Sequence, residues 1–238
     1  MNLKKDNWNK KDYKEFINYL NSLKDKKYKN FHSKLILSDN LIGIKTPILR
    51  NIAKEISVGN YESFIKLNNH KFYEEKIIHG LIIGYIKKDF KTIINSFNSF
   101  IKYIDNWAIC DICVSNMKIF SKNLETGKNE IEKYLKDSNF WINRVGIVLL
   151  LDFYINDDYI DYLIEKIKTI KSNEYYVNMA LAWLISICYI KYKDKTIVLF
   201  KEKYLDKWVH NKAIQKIIES KRINIEEKNE LKKLKIID

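Results

Sequence analysis

Asp105-Asn106-Trp107-Ala108-Ile109-Cys110-Asp111 sets an aromatic ring and a carboxylate four residues apart. On an α-helix that spacing puts both on one face, about one turn apart. Asn106 has the short polar side chain that caps a helix start. Alone, a Trp-x-x-x-Asp of this kind reads as a core ring beside a solvated acid. Recurrence changes the reading. Arg144 stands 37 residues after Trp107, and Trp183 stands 39 after Arg144. Helix-pair solenoids of the HEAT or armadillo kind repeat every ~40–47 residues. The near-equal spacing therefore predicts that the three residues occupy equivalent helices of successive repeats and line one concave face.

Composition points the same way. The chain has 238 residues, 46% of them hydrophobic, with one Pro and six Gly. Sheet proteins need turns, and turns need Gly and Pro, so few breakers among long apolar segments mean helices. The expected architecture is all-α: one right-handed α-α superhelix of HEAT/armadillo-like repeats, a single domain over residues 1–238 without a linker.

The expected helices start with an amphipathic one over Lys11–Tyr28, followed by a polar connector. Thr46 then reads as an N-cap, with Pro47 at the first helical position. Further helices are expected over Tyr61–Leu67, Phe72–Ile86, Lys91–Ile101 and Trp107–Phe120. After a break at Gly127 come Asn129–Leu135, Trp141–Tyr154, Tyr159–Ile170, Tyr175–Tyr192, Ile197–Tyr204, Trp208–Glu219 and Glu226–Leu234.

Lys and Arg total 43 against 30 acidic residues, a net charge of +13. Such an excess implies a polyanionic partner, nucleic acid before membrane; a solvated lysine-rich surface is the alternative. Only Arg50, Arg144 and Arg222 are arginines. In so lysine-rich a chain, an Arg marks a place where a planar fork does what an ammonium cannot.

Cys110, Cys113 and Cys188 are an odd number of cysteines without a secretory signal, which fits a reducing cytoplasm. Cys110-x-x-Cys113 lies inside an apolar helical pattern and has no second pair, so core thiols are expected rather than zinc ligands. No metal or cofactor is expected. The apolar runs are too short and interrupted to span a membrane.

Several further stretches carry a resemblance. They are Thr46-Pro47-Ile48-Leu49-Arg50-Asn51-Ile52-Ala53-Lys54-Glu55, Tyr73-Glu74-Glu75-Lys76, Asn106-Trp107 with Asp111, Phe140-Trp141-Ile142-Asn143-Arg144, and Tyr175-Tyr176-Val177-Asn178-Met179-Ala180-Leu181-Ala182-Trp183. In order and spacing they resemble the AlkD-type DNA alkylation repair proteins, HEAT-like-repeat DNA glycosylases, over nearly the whole chain. The resemblance implies an active cleft made from Trp107, Asp111, Arg144 and Trp183, with Tyr175 and Tyr176 approaching the DNA. It implies removal of cationic N3- and N7-alkylated purines from double-stranded DNA without a metal and without extruding the base, unlike most glycosylases. On that resemblance Asp111, Trp107 and Trp183 are the catalytic residues and Arg144 clamps a phosphate. The protein is expected to act as a cytoplasmic monomer.

Lys212 and Lys216 share a helix face and offer a phosphate-contacting edge, or simply a solvated one. His210, Trp141 and Trp208 read as packing residues, and Tyr73-Glu74-Glu75-Lys76 as structural. Asn143, Met179 and Ile185-Ser186 stand where the family often carries cations, which implies weaker DNA binding or altered lesion acceptance. Two other functions stay open: a non-catalytic DNA-binding repeat protein that reads shape, and a protein-interaction scaffold.

Overall fold

The computed structural model describes residues 1–36 and 40–237, and every regular element among them is helical. The order is α1 (Lys10–Ser22), α2 (Lys26–Ile36), α3 (Thr46–Ser57), α4 (Tyr61–Leu67), α5 (Tyr73–Tyr85), α6 (Phe90–Phe100) and α7 (Trp107–Val114). Then come α8 (Leu124–Leu135), α9 (Phe140–Phe153), α10 (Ile160–Thr169), α11 (Tyr175–Lys191), α12 (Lys193–Thr196), α13 (Val198–Lys201), α14 (Lys207–Glu219) and α15 (Ile225–Lys233). Short 3-10 turns cover Ile101–Tyr103 and Lys118–Lys122. Contacts divide the chain into two compact units, Met1–Lys122 and Asn123–Asp238.

In the first unit α5 is the central helix, packed on α3, α6 and α7. Its Ile77, Ile78, Leu81 and Ile82 are fully buried, each contributing roughly 1.5–3 kcal/mol by leaving water. Gly80 lets the neighbours come close: a Cβ there would lie 2.7 Å from the Phe100 ring and closer still to Cys113 Sγ. The start of α5 fastens the preceding loop. Glu74, fully buried, accepts from Ile42 N at 3.0 Å, Gly43 N at 2.7 Å and Ile44 N at 3.2 Å. Gly43 is needed there, because its φ is +102° and a Cβ would fall 2.6 Å from Lys29 Cβ. Glu75 accepts from Phe72 N at 2.7 Å and from the Tyr13 hydroxyl. The Tyr-Glu-Glu-Lys stretch is structural, as its sequence suggested.

In the second unit α11 is central, packed on α9 and α14, while α8 pairs with α9. Ala180, Leu181, Leu184, Ile185 and Cys188 form its buried face. The C-terminal segment is tied back onto α14: the buried His210 ring donates to Leu234 O at 2.8 Å, and Asn211 exchanges bonds with Ile236 at 2.9 and 3.0 Å. His210 is thus a packing residue.

Several local expectations need correction. The helix expected over Trp107–Phe120 stops at Val114 and is followed by the 3-10 turn over Lys118–Lys122, and that expected over Ile197–Tyr204 is only the short α13. The first predicted helix is two: α1 ends at Ser22 with Leu23 as its C-cap, and α2 runs on into the expected connector as far as Ile36. The residues Tyr28, His32 and Ile36, four apart, were its signal. Thr46 is the first residue inside α3 rather than its cap; Lys45 caps through its backbone, with no side-chain bond. Gly127 is no break but a buried position within α8, where the absence of a side chain lets the helix continue closely packed. All three cysteines are buried core thiols, and burial pushes the Cys188 thiol up to about 12. Among the described residues, no helix is long and apolar enough to cross a membrane.

Candidate functional site

Trp107 opens α7, and Asp111 follows one turn later on the same face. Both are half-buried, so neither is sealed in the core. Asn106 is the N-cap: its Oδ1 accepts from Ala108 N and Ile109 N, each at 3.1 Å. Its own Nδ2 donates to Asp105 Oδ1 at 3.1 Å, and Asp105 is ion-paired with Lys76 of α5. The indole Nε1 of Trp107 donates to Leu35 O at 3.3 Å. Both ends of the ring's approach are therefore fixed, one by the cap and one by α2.

Asp111 also has a neighbour in Tyr73. Burial first, and then surrounding negative charge that includes Glu74 and Asp111, pushes the Tyr73 hydroxyl well above its usual range. Tyr73 is thus a protonated phenol, hydrogen-bonded to His32 Nε2 at 3.3 Å. The sequence reading did not single out α2, His32 or Leu35, because a backbone acceptor 72 residues away leaves no pattern in the chain.

The remaining site residues lie in the second unit. Arg144, on α9, is 5% exposed, and its Nη1 donates to Tyr176 O at 2.6 Å. Trp183 is half-buried midway along α11, with its carbonyl accepting from Ser186 Oγ at 2.7 Å. Tyr175 and Tyr176 open α11; Tyr175 is 57% exposed and Tyr176 half-buried. Lys212 and Lys216 are half-buried on α14, with Lys212 Nζ donating to Gln215 Oε1 at 2.9 Å. Trp107, Arg144 and Trp183 fall on α7, α9 and α11, alternate helices in the order.

Two tryptophans read as packing residues are more open than that. Trp208 is 41% exposed, and Trp141 is half-buried with its ring 4.9 Å from Tyr176. Asn143 and Ser186, neutral where the resemblance implied cations, have local uses. Asn143 Nδ2 donates to Tyr134 O at 3.0 Å and Asp137 O at 2.8 Å, which fixes the α8–α9 turn. Ser186 is buried and bonded within α11.

Chemically, the first unit offers a carboxylate beside an indole. The second offers a buried guanidinium, an indole and an aromatic, lysine-bearing surface. Among the described residues, no group of three or more His, Cys, Asp or Glu could hold a metal ion. A family model described as "DNA alkylation repair enzyme" matches residues 13–217. No curated protein matches the chain.

Proposed function

The chain belongs to the DNA alkylation repair enzyme family, and on that premise we propose that it is a DNA glycosylase that hydrolyses the N-glycosidic bond of N3- and N7-alkylated purines in duplex DNA. The family places it in alkylation repair, with DNA as the substrate. The chemistry of the named residues supports the finer reading.

An N-alkylated purine is cationic. When its bond to C1′ breaks, the bonding pair goes to the base, which leaves neutral, so no strong general acid is required. The difficulty is the oxocarbenium character that grows on the deoxyribose. Asp111 is the carboxylate that stabilises it and accepts a proton from the attacking water, whose oxygen bonds C1′. Trp107 and Trp183 present indole faces to the cationic sugar and base, worth up to roughly 2 kcal/mol each when desolvated. Arg144 binds a backbone phosphate, with Tyr175, Tyr176, Lys212 and Lys216 as further DNA contacts. Its burial means that its dehydration is already met by folding. The helix pairs are read as HEAT-like repeats that present these side chains.

The observation that carries this reading is the α7 terminus, where Trp107 and Asp111 stay accessible on one face while the cap and Leu35 hold them still. The test is to incubate the protein with methylated duplex and quantify the released bases. Asp111→Asn should lower the release rate by about 100-fold or more, the range for losing a positioned proton acceptor. Equal release by both proteins overturns the catalytic assignment. Tight, salt-dependent duplex binding without any release favours a non-catalytic DNA-binding protein instead.

A further inference from the structure

The second unit carries a run of aromatic rings that the roles above do not exhaust. Phe140 and Trp141 have centroids 4.8 Å apart, Trp141 and Tyr176 4.9 Å, Tyr176 and Tyr175 5.2 Å, and Tyr175 and Trp208 5.7 Å. The run ends in the open, at Tyr175 and Trp208, 57% and 41% exposed. Large rings left in water forgo the burial that usually justifies them. Beside Trp208 the surface dips into a pocket of about 490 Å³, lined by Lys207, Trp208, Asn211, Lys212, Gln215 and Lys235.

Three ammonium groups and no carboxylate line that pocket. Lys235 is held there because Asn211 grips Ile236 and His210 grips Leu234, on either side of it. Lys212 Nζ stands 5.7 Å over the indole. A cation thus already sits where a flat ring would stack.

We propose that this pocket takes an unstacked nucleobase with its flanking phosphates, so that the protein holds single-stranded DNA at a second site. Every base has a π-face, and an exposed indole accepts any of them without reading sequence. Lys207, Lys212 and Lys235 neutralise the phosphates on either side. An intact duplex offers only base edges in its grooves, which leaves the indole face unused. An acidic peptide satisfies the lysines but gives Trp208 and Tyr175 nothing to stack on. On binding, the base replaces the Lys212 ammonium over the indole, and Lys212 turns to a phosphate. Tyr175 and Lys212 are shared with the duplex contacts proposed above, but no base release is involved, and Trp208, Lys207 and Lys235 belong to this site alone, so variants at those three test it apart from the glycosylase reading.

The probe is a fluorescein-labelled oligothymidylate of about eight nucleotides, within the span one small module covers, titrated by anisotropy at several salt concentrations. Trp208→Ala should weaken binding about tenfold, with little change in salt slope, as loss of one stacked base does. Trp208→Phe keeps a ring and should retain most of the affinity. Lys207→Ala with Lys235→Ala should reduce the slope of log affinity against log salt by about 1.4, near 0.7 for each lost phosphate contact. Three results overturn the proposal. They are Trp208→Ala binding as the wild type does, a base-free deoxyribose-phosphate chain of equal length binding as tightly as the oligothymidylate, and poly-glutamate displacing the probe at equal charge. If Trp208→Ala melts early, the lysine pair and the base-free chain decide between site and no site.

Discussion

The two units fix their loops by different means. The first buries charge and polarity: Glu74, Glu75, His79, Asn106 and Asn116 are all below a tenth exposed, and most hold a backbone group. The second also ties its turns with polar side chains, Asn143 and His210, but these are neutral: among its described residues no carboxylate is buried and Arg144 is the one buried ion. A buried carboxylate that accepts three N–H groups tolerates almost no change in geometry, whereas rings at 5–6 Å can slide. The unit with the proposed nucleophile-positioning acid is thus built to stay still, and the one with the exposed aromatics is built to accept a partner. Substitutions that exchange one device for another test this contrast.

The largest effect is expected at Glu74. Glu74→Gln keeps the shape, but its amide NH₂ faces one of the N–H groups of Ile42, Gly43 or Ile44. One buried donor then loses its acceptor, and a charged bond becomes neutral, together costing about 3 kcal/mol. Denaturant melts measure it. A loss below about 0.5 kcal/mol, the level of an ordinary surface change, would show that the loop does not depend on the carboxylate.

Next is the response to acid. His79 is 5% exposed, and burial lowers its pKa from 6.5 to about 3; His70, hydrogen-bonded to it at 2.7 Å, falls to about 4, first from burial and then from Lys76 and Lys102. Both rings are therefore neutral in the fold and protonated in the unfolded chain below pH 6.5. Stability is complete above that value and is lost as pH falls toward the folded values. His79 alone should cost about 2 kcal/mol between pH 7 and 5, and the partly exposed His70 adds less because solvent screens it. Thermal melts across that range should show the decline, shallower in His79→Phe; a flat profile would mean that the rings bind protons as readily in the fold as in the unfolded chain.

Asn106→Ala is expected to do less to stability and more to function. An N-cap is worth about 1 kcal/mol, and its loss frees the first turn that carries Trp107. Base release should fall further than the melting temperature implies, by about tenfold on the scale at which small misplacements act. A variant that loses stability but keeps full release would detach the cap from catalysis.

How far the chain disclosed this follows from distance along it. The helical class, the α4 bounds, the Asn106 cap and the Trp107–Asp111 face rest on neighbours within four residues, and all were legible. The class of repair came from the order of several short stretches. Illegible were the partners that act through backbone groups far away: Leu35 O for Trp107, Tyr176 O for Arg144, and the Ile42–Ile44 amides for Glu74. A carbonyl is present at every residue, so no residue type marks it. The split between α1 and α2 was hidden for a related reason, since Leu23 ends α1 without a Gly or Pro.

The smallest effect separates a side chain from its backbone. Arg144 donates to the backbone carbonyl of Tyr176. Tyr176→Phe keeps both that carbonyl and the ring against Trp141, so stability should change by less than about 0.5 kcal/mol. Arg144→Lys keeps the charge but loses the planar fork, and duplex binding should weaken while Tyr176→Phe binds as the wild type does. Duplex affinity measured by anisotropy for the two variants decides it. If the order reverses, the phenol rather than the guanidinium meets the DNA, and the second unit works through its exposed rings alone.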